Sequence, residues 1–465
     1  MAITERLRWA GYGLVAATAI LGPWFFGATE RWWFWPFFAL LCSGVFCLAL
    51  AAARQPAAAG SQPATRRLWL WVAPFMAYAT VRAALAPVHM DAERSLLLFV
   101  TPLMIAGCVL HAFTPTQRVA LYVVTMVNLG ALGVYGILNH LLNGSRHVLW
   151  AAGFPQYYTD GRASGSYYCP DHFSGIMELA CAAGLGFVFT RRLRGGYRLA
   201  ALALCGLAAL GVVLSKSRGG GLTLVMLALA ALVWGFNQWP AGVRWLNRFS
   251  LAAAMAIVVT VVWNTPSQYM LRFKEHFNWP ELRDAGPRQL LRGALTRWGE
   301  TPRGLMSAAA LRAWRTAPVF GVGPGMHRNV WPQFAATPDG SREEGLWPSQ
   351  LNNHFHSYEA HNDWIQLLEE YGIVGAVLFL IAAGAVTTAL LRRLRREGSR
   401  RSSRRSSDRA PDSHPFVLGG LFALVAMAFH SLGDFNLQLP ATTWVLAVLI
   451  AVPLAGTLDP TGEPA

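Results

Sequence analysis

Apolar residues run through this chain in blocks of membrane-crossing length, parted by short polar segments, and not in the one-sided stripes of soluble helices. A span needs roughly 20 predominantly apolar residues. That criterion marks twelve segments, approximately 10–29, 32–53, 68–87, 95–113, 119–142, 173–190, 199–215, 219–237, 249–265, 366–391, 416–433 and 439–456. The pattern predicts an all-α polytopic membrane protein of about 12 transmembrane helices. Two polar stretches interrupt it, about 143–172 and about 266–365. The chain then divides into spans one to nine over 1–265, a loop domain over 266–365, a tenth span over 366–391, a basic loop over 392–415, and the last two spans with a short tail over 416–465. Inside the loop, Leu305 to Ala317 is alanine-rich and reads as a helix, ended by Pro318 and the turn Gly321-Val322-Gly323-Pro324-Gly325. Where loop meets tenth span, Asn362 or Asp363 can cap a helix whose apolar positions Trp364, Leu367, Leu368 and Tyr371 share one face.

Composition agrees: 54% of residues are hydrophobic, 14% are charged and the mean hydropathy is +0.34, values that a soluble domain of this size does not carry. The formal net charge of +15 is read first through the positive-inside rule, which leaves no call for a nucleic-acid partner. Arg54, Arg66, Arg67, Arg118, Arg191, Arg192, Arg194, Arg198, Arg244 and Arg248 all fall on one side of the spans, with the run from Arg392 to Arg409. That side is the cytoplasm, both termini lie there, and the basic run touches anionic headgroups as a disordered loop. The two long stretches then lie outside, in the periplasm. The first apolar run lacks a small-residue cleavage site and reads as a retained helix. Five of the six cysteines sit in apolar stretches, so neither a disulfide framework nor metal-ligand spacing is implied.

Three features carry chemistry. His361 stands at the polar end of the helix that enters the tenth span, and an imidazole there can take a proton from a hydroxyl near neutral pH. Lys216 and Arg218 lie in the short external turn Ser215-Lys216-Ser217-Arg218-Gly219-Gly220-Gly221, which holds them at headgroup level; there they either snorkel to lipid phosphate or grip a phosphorylated lipid substrate, with the glycines admitting a headgroup. The Gly321–Gly325 turn lacks the lysine and strand of a phosphate-binding loop and reads as a tight turn whose amides face an anion.

The run Ala360-His361-Asn362-Asp363-Trp364-Ile365-Gln366-Leu367-Leu368-Glu369-Glu370-Tyr371-Gly372-Ile373-Val374-Gly375 resembles the signature of the O-antigen ligase and polymerase superfamily. Ser217-Arg218-Gly219 is similar to its S-R-G turn, and Arg303 precedes Pro318-Val319-Phe320-Gly321-Val322-Gly323-Pro324-Gly325 as the family's loop arginine precedes its glycine motif. Gly165 to Phe173 and His430-Ser431-Leu432-Gly433-Asp434-Phe435-Asn436-Leu437 resemble two further motifs, with Cys169 and Asp171 standing where the family has asparagines and Ser307 where it often has tryptophan. The resemblance implies a GT-C-like glycosyltransferase of the bacterial inner membrane, without cofactor or metal, its active site facing the periplasm. It takes a glycan from undecaprenyl diphosphate, inverts the anomeric centre, and delivers it to a lipid A core hydroxyl. His361 is then the base, with Arg218 and Arg303 on the diphosphate. Lys216, Asn362, His354, His356, Arg162 and His172 are supporting candidates. No Asp-x-Asp pair sits in the external segments to carry a divalent ion.

A polymerase of O-antigen or exopolysaccharide differs from a ligase only in its acceptor, a second lipid-linked glycan. A lipid-linked oligosaccharide flippase is a third reading, and it calls for charges inside the spans, which here are nearly free of them.

Overall fold

A computed structural model describes residues 3–54, 63–148, 151–155, 161–189, 195–238, 289, 293, 301–335, 357–403 and 414–455. Helices cover the apolar blocks: α1 (Ile3–Leu21), α2 (Arg31–Arg54), α3 (Pro63–Ala84), α4 (His89–His111), α5 (Pro115–Asn143), α6 (Pro170–Val188), α7 (Gly195–Ser215) and α8 (Arg218–Gln238). After these come α9 (Pro302–Thr316), α10 (His327–Ala335), α11 (Asp363–Ser403), α12 (His414–His430) and α13 (Pro440–Leu454). The expected ninth span, 249–265, lies outside the described residues, as do His354 and His356. Among the described residues five helices (α2, α4, α5, α7 and α11) are long and apolar enough to cross a membrane, and α8, α12 and α13 are shorter apolar helices. The helix expected from Leu305 to Ala317 is α9, started three residues earlier by Thr301, whose side chain accepts from Gly304 N.

Helices α6, α12 and α13 are buried almost all round, as helices at the centre of a bundle must be. Trp444 of α13 is fully buried and donates to Thr101 of α4 at 2.9 Å. Leu70, Trp71, Val127, Leu141 and Leu380, by contrast, expose their apolar side chains on outer helices.

Three expectations change. Helix α11 runs on to Ser403, so the first part of the basic segment expected as a disordered loop from 392 is helical. Between α5 and α6 the chain forms a small antiparallel hairpin, β1 (His147–Val148) with β2 (Ala151–Pro155), so the fold is not purely helical. Strands this short carry no readable alternation. Arg118, counted as a loop arginine, is only 8% exposed and donates to the carbonyls of Val109, Leu110 and Ala455. It satisfies the open carbonyl ends of α4 and α13, a task that side-chain cations perform at helix C-termini.

The glycine turn and the start of α11 explain one another. Helix α11 breaks at Gly372 (φ 66°, ψ −173°), and Pro318 to Gly323 lie in the break. Val322 N donates to Glu369 O at 2.9 Å, Gly323 N to Glu370 O at 3.0 Å, Ile373 N to Pro318 O at 3.0 Å and Val374 N to Val319 O at 3.1 Å. Gly321 and Gly372 both have positive φ, and a Cβ on either would strike the other's backbone. The place expected for an anion over this turn is taken by the protein's own Glu370 carboxyl, which accepts from Gly325 N at 2.8 Å. His327 of α10 completes the dock, with Nδ1 2.7 Å from Glu369 and Nε2 3.2 Å from Ser357. Burial opposes the His327 charge, but the Glu369 hydrogen bond and carboxylate overcome it and raise its pKa. The loop is thus fixed to α11, and with it Arg303.

Candidate functional site

At one end of the bundle, Arg303 of α9, His430 of α12 and the segments carrying Arg162, Ser217 and His361 converge on Asp434 and Asp171. Asp434 follows α12 and is fully buried. Its Oδ1 lies 3.2 Å from His361 Nδ1 and accepts from Phe435 N at 3.0 Å, while its Oδ2 accepts from Arg303 Nη2 at 3.2 Å. Burial alone would raise this carboxyl's pKa; Arg303, His361 and His430 more than offset it and hold it well below the usual range. An ionised carboxylate only accepts, so His361 donates from Nδ1 and Nε2 is left as its basic nitrogen. The ring stands edge-to-face with Phe435 at 4.5 Å, and the side chain is 27% exposed.

His361 has a backbone φ of 51°, a left-handed conformation that costs a non-glycine residue on the order of 1–3 kcal/mol. Its neighbours hold it there. Asn362 is the helix cap, accepting from Ile365 N at 3.0 Å, and its amide donates to Leu432 O at 2.8 Å. Asp363 takes hydrogen bonds from the Ser431 hydroxyl at 2.8 Å and Leu437 N at 3.0 Å. Gln366 accepts from Ala360 N at 2.9 Å, and Trp364 donates to Ala428 O at 2.9 Å. The polar residues after His361 therefore strap the start of α11 to the 431–437 loop, Asn362 among them.

Arg303 sits on the first turn of α9 and donates to Asp171 at 2.7 Å, to Asp434 at 3.2 Å and to Gly433 O at 2.9 Å. Burial works against its charge, but Asp434 and Asp171 overcome this and raise its pKa. Arg162 donates to the other Asp171 oxygen at 2.6 Å and to Ser215 O at 2.7 Å. Asp171, which departs from the family's asparagine, is thus the carboxylate that fixes both guanidinium groups, and the Ser217 hydroxyl adds to its hold. Through Ser215 and Ser217 this network reaches the turn that carries Lys216 (φ 52°) and Arg218, both partly buried. His172 stands edge-to-face with Phe435 at 4.6 Å, so one ring bridges His172 and His361.

The structure brings together His361, Arg303, Arg162 and His172, and links them to the Lys216–Arg218 turn. It adds four residues that the sequence reading passed over as site members: Asp171, Glu178, His430 and Asp434. His430 and Glu178 are ionisable groups inside the apolar helices α12 and α6, Nδ1 2.7 Å from the carboxylate, so the spans are not as free of charge as expected. Acidic and imidazole groups within apolar runs were the available signal. Gly219 and Gly220 pack against these helices: a Cβ on Gly219 would come 3.1 Å from His430 Nε2, and one on Gly220 would overlap Ser174.

Comparison with protein families matches residues 201–380 to the family described as O-antigen ligase. The matched stretch holds Lys216, Arg218, Arg303, His361 and Asn362, whereas Arg162, Asp171, Glu178, His430 and Asp434 fall outside it. No curated protein matches the chain.

Proposed function

We propose, on the match of residues 201–380 to the O-antigen ligase family, that the chain is an inverting, metal-independent glycosyltransferase acting on undecaprenyl-diphosphate-linked glycan. Its acceptor is a lipid A core hydroxyl at the periplasmic face of a twelve-span inner-membrane bundle. The observation that carries this is the hydrogen bond between His361 and an ionised Asp434 that also holds Arg303. In the reaction His361 Nε2 takes the acceptor's proton while its oxygen attacks the anomeric carbon. The bond from that carbon to the diphosphate breaks on the opposite face, and the electron pair leaves with the diphosphate. Asp434 steadies the imidazolium so formed, as the orienting carboxylate does in acid–base dyads.

Arg303 has carboxylates as partners, so it cannot be the sole cation for a diphosphate. Three of its five N–H donors are engaged, which leaves the rest for the leaving group. Arg218 and Lys216, at the start of α8, add positive charge where a helix N-terminus already favours an anion. Arginine cations here take the part that a divalent ion plays in other transferases.

Purified protein incubated with undecaprenyl-diphosphate glycan and lipid A core, with and without EDTA, tests the reading. Glycan joined to the core is the expected product, with chelator having no effect. Lengthening of the lipid-linked glycan instead would identify a polymerase, and no transfer to either acceptor would end the proposal.

A further inference from the structure

The mechanism leaves unused a buried ionisable pair set inside the apolar helices, His430 and Glu178. His430 Nδ1 lies 2.7 and 2.9 Å from the two Glu178 oxygens, its Nε2 stands 3.7 Å from Asp434 Oδ2, and Ser174 donates to Glu178 at 3.0 Å. Both side chains are 0% exposed. Such a pair is a poor stabiliser, because the desolvation of two charges rivals their attraction and apolar residues of like volume do as well or better. Ionisable groups inside apolar helices therefore point to a role in function.

Their placement says which role. Glu178, His430, Asp434 and His361 form one series, hydrogen-bonded at its two ends and joined in the middle by the 3.7 Å approach of His430 Nε2 to Asp434, and Asp434 turns one oxygen to each histidine. Oδ1 serves His361, and Oδ2 serves Arg303 and faces His430. What His430 presents to Oδ2 sets how much of the Asp434 charge remains for His361. Glu178 in turn sets what His430 presents, since with a carboxylate at Nδ1 the imidazole bridges two anions, and with an amide there it bridges one. Around the series stand Asp171 and His172 from α6, Arg303 from α9 and Asp363 from α11, with Cys169 just before α6. Helix α8, which begins at Arg218, closes over the pair with Gly219 and Gly220, so a Cβ at Gly220 would come 3.0 Å from Glu178 Oε1.

On the reading of His361 as the base, we propose that Glu178 and His430 are positioning residues of the transfer reaction: from inside the bundle they set the charge and orientation of Asp434, and through it the strength of the base. The pair touches no substrate. Its signature is a change in the pH dependence of turnover.

The test is the kcat–pH and KM–pH profile of the full chain in lipid nanodiscs, for wild type, Glu178→Gln, Glu178→Asp and His361→Ala, with thermal melting alongside. Glu178→Gln removes one of the two anions on His430, leaves more of the Asp434 charge facing His361, and moves the acid limb of kcat to higher pH by about half a unit or more. Donor KM stays within about twofold, and Glu178→Asp returns the limb to its wild-type position. A limb that stays in place while kcat falls would overturn the proposal, since a purely structural pair lowers the amount of active protein without altering its titration. If Glu178→Gln does not fold, His430→Gln reads the same limb, and an unmoved limb there overturns it equally. Full transfer by His361→Ala would instead defeat the base assignment itself, whatever the Glu178 variants do.

Discussion

His361 Nδ1 and Asp434 Oδ1 meet at 3.2 Å across 73 residues of sequence. One residue opens the strap into α11 and the other follows α12, and the bonds of Asn362 and Asp363 to the 431–437 loop hold the two together. The dyad fixes the imidazole tautomer, with the proton on Nδ1 and the lone pair on Nε2.

Asp434→Asn keeps the shape but can no longer enforce that tautomer. Turnover should fall by about 10²–10⁴-fold, the range for loss of a positioned base, with little change in donor KM. His361→Ala should fall as far and the double variant no further, because groups that act as a unit are not additive. Steady-state kinetics on the three variants decides it, and losses that multiply in the double variant would separate the two residues.

Arg303→Ala should cost stability as well as transfer, since Asp171 and Asp434 lose a shared cation, a loss of about 3–5 kcal/mol for a buried pair. Arg303→Lys should recover part of the stability and little of the activity, because a single ammonium does not reproduce a planar fork holding two carboxylates and the Gly433 carbonyl. Melting temperature and donor binding, measured together, separate these effects. Arg218→Ala should weaken donor binding.

The acid limit of stability should follow Asp434. Its folded pKa lies below its unfolded value of roughly 3.9, so its pairing contributes fully above about pH 4 and is lost as pH falls from there towards the folded value. His327 acts in the opposite sense: its raised pKa gives a contribution present below roughly pH 6.5 and lost as pH rises through the folded value. Melting temperature against pH should show both flanks, the acid one flattened in Asp434→Asn and the alkaline one in His327→Gln.

Gly321→Ala and Gly372→Ala each place a methyl against the other's backbone at a positive φ. Each should destabilise by about 1–3 kcal/mol, and the double variant by less than the sum, because both break the same dock. Transfer should fall with them, since that dock carries α9 and Arg303 to the site. Thermal melting and transfer rate measured side by side test it, and a variant that melts normally yet loses Arg303-dependent donor binding would show the dock to be positional alone.

The amino-acid sequence alone determined the helical class, the helix from Leu305, the cap at Asn362, and His361, Arg303 and the Arg218 turn as candidates, because periodicity, capping and residue chemistry are local properties. It missed the hairpin at His147, whose strands are too short to alternate, and it placed Arg118 in a loop although its guanidinium caps two helices. It read Gly321 to Gly325 as a tight turn whose amides face an anion, and the group found there is the carboxyl of Glu370, 45 residues onward from Gly325. Only the tertiary structure decided that Asp434 faces His361, that Asp171 joins Arg162 to Arg303, and that Glu178 faces His430 across 252 residues. The physical reason is common to all of them: a buried charge has to find its counter-charge somewhere in the fold, and helices brought together in a bundle supply it from parts of the chain that no local pattern connects.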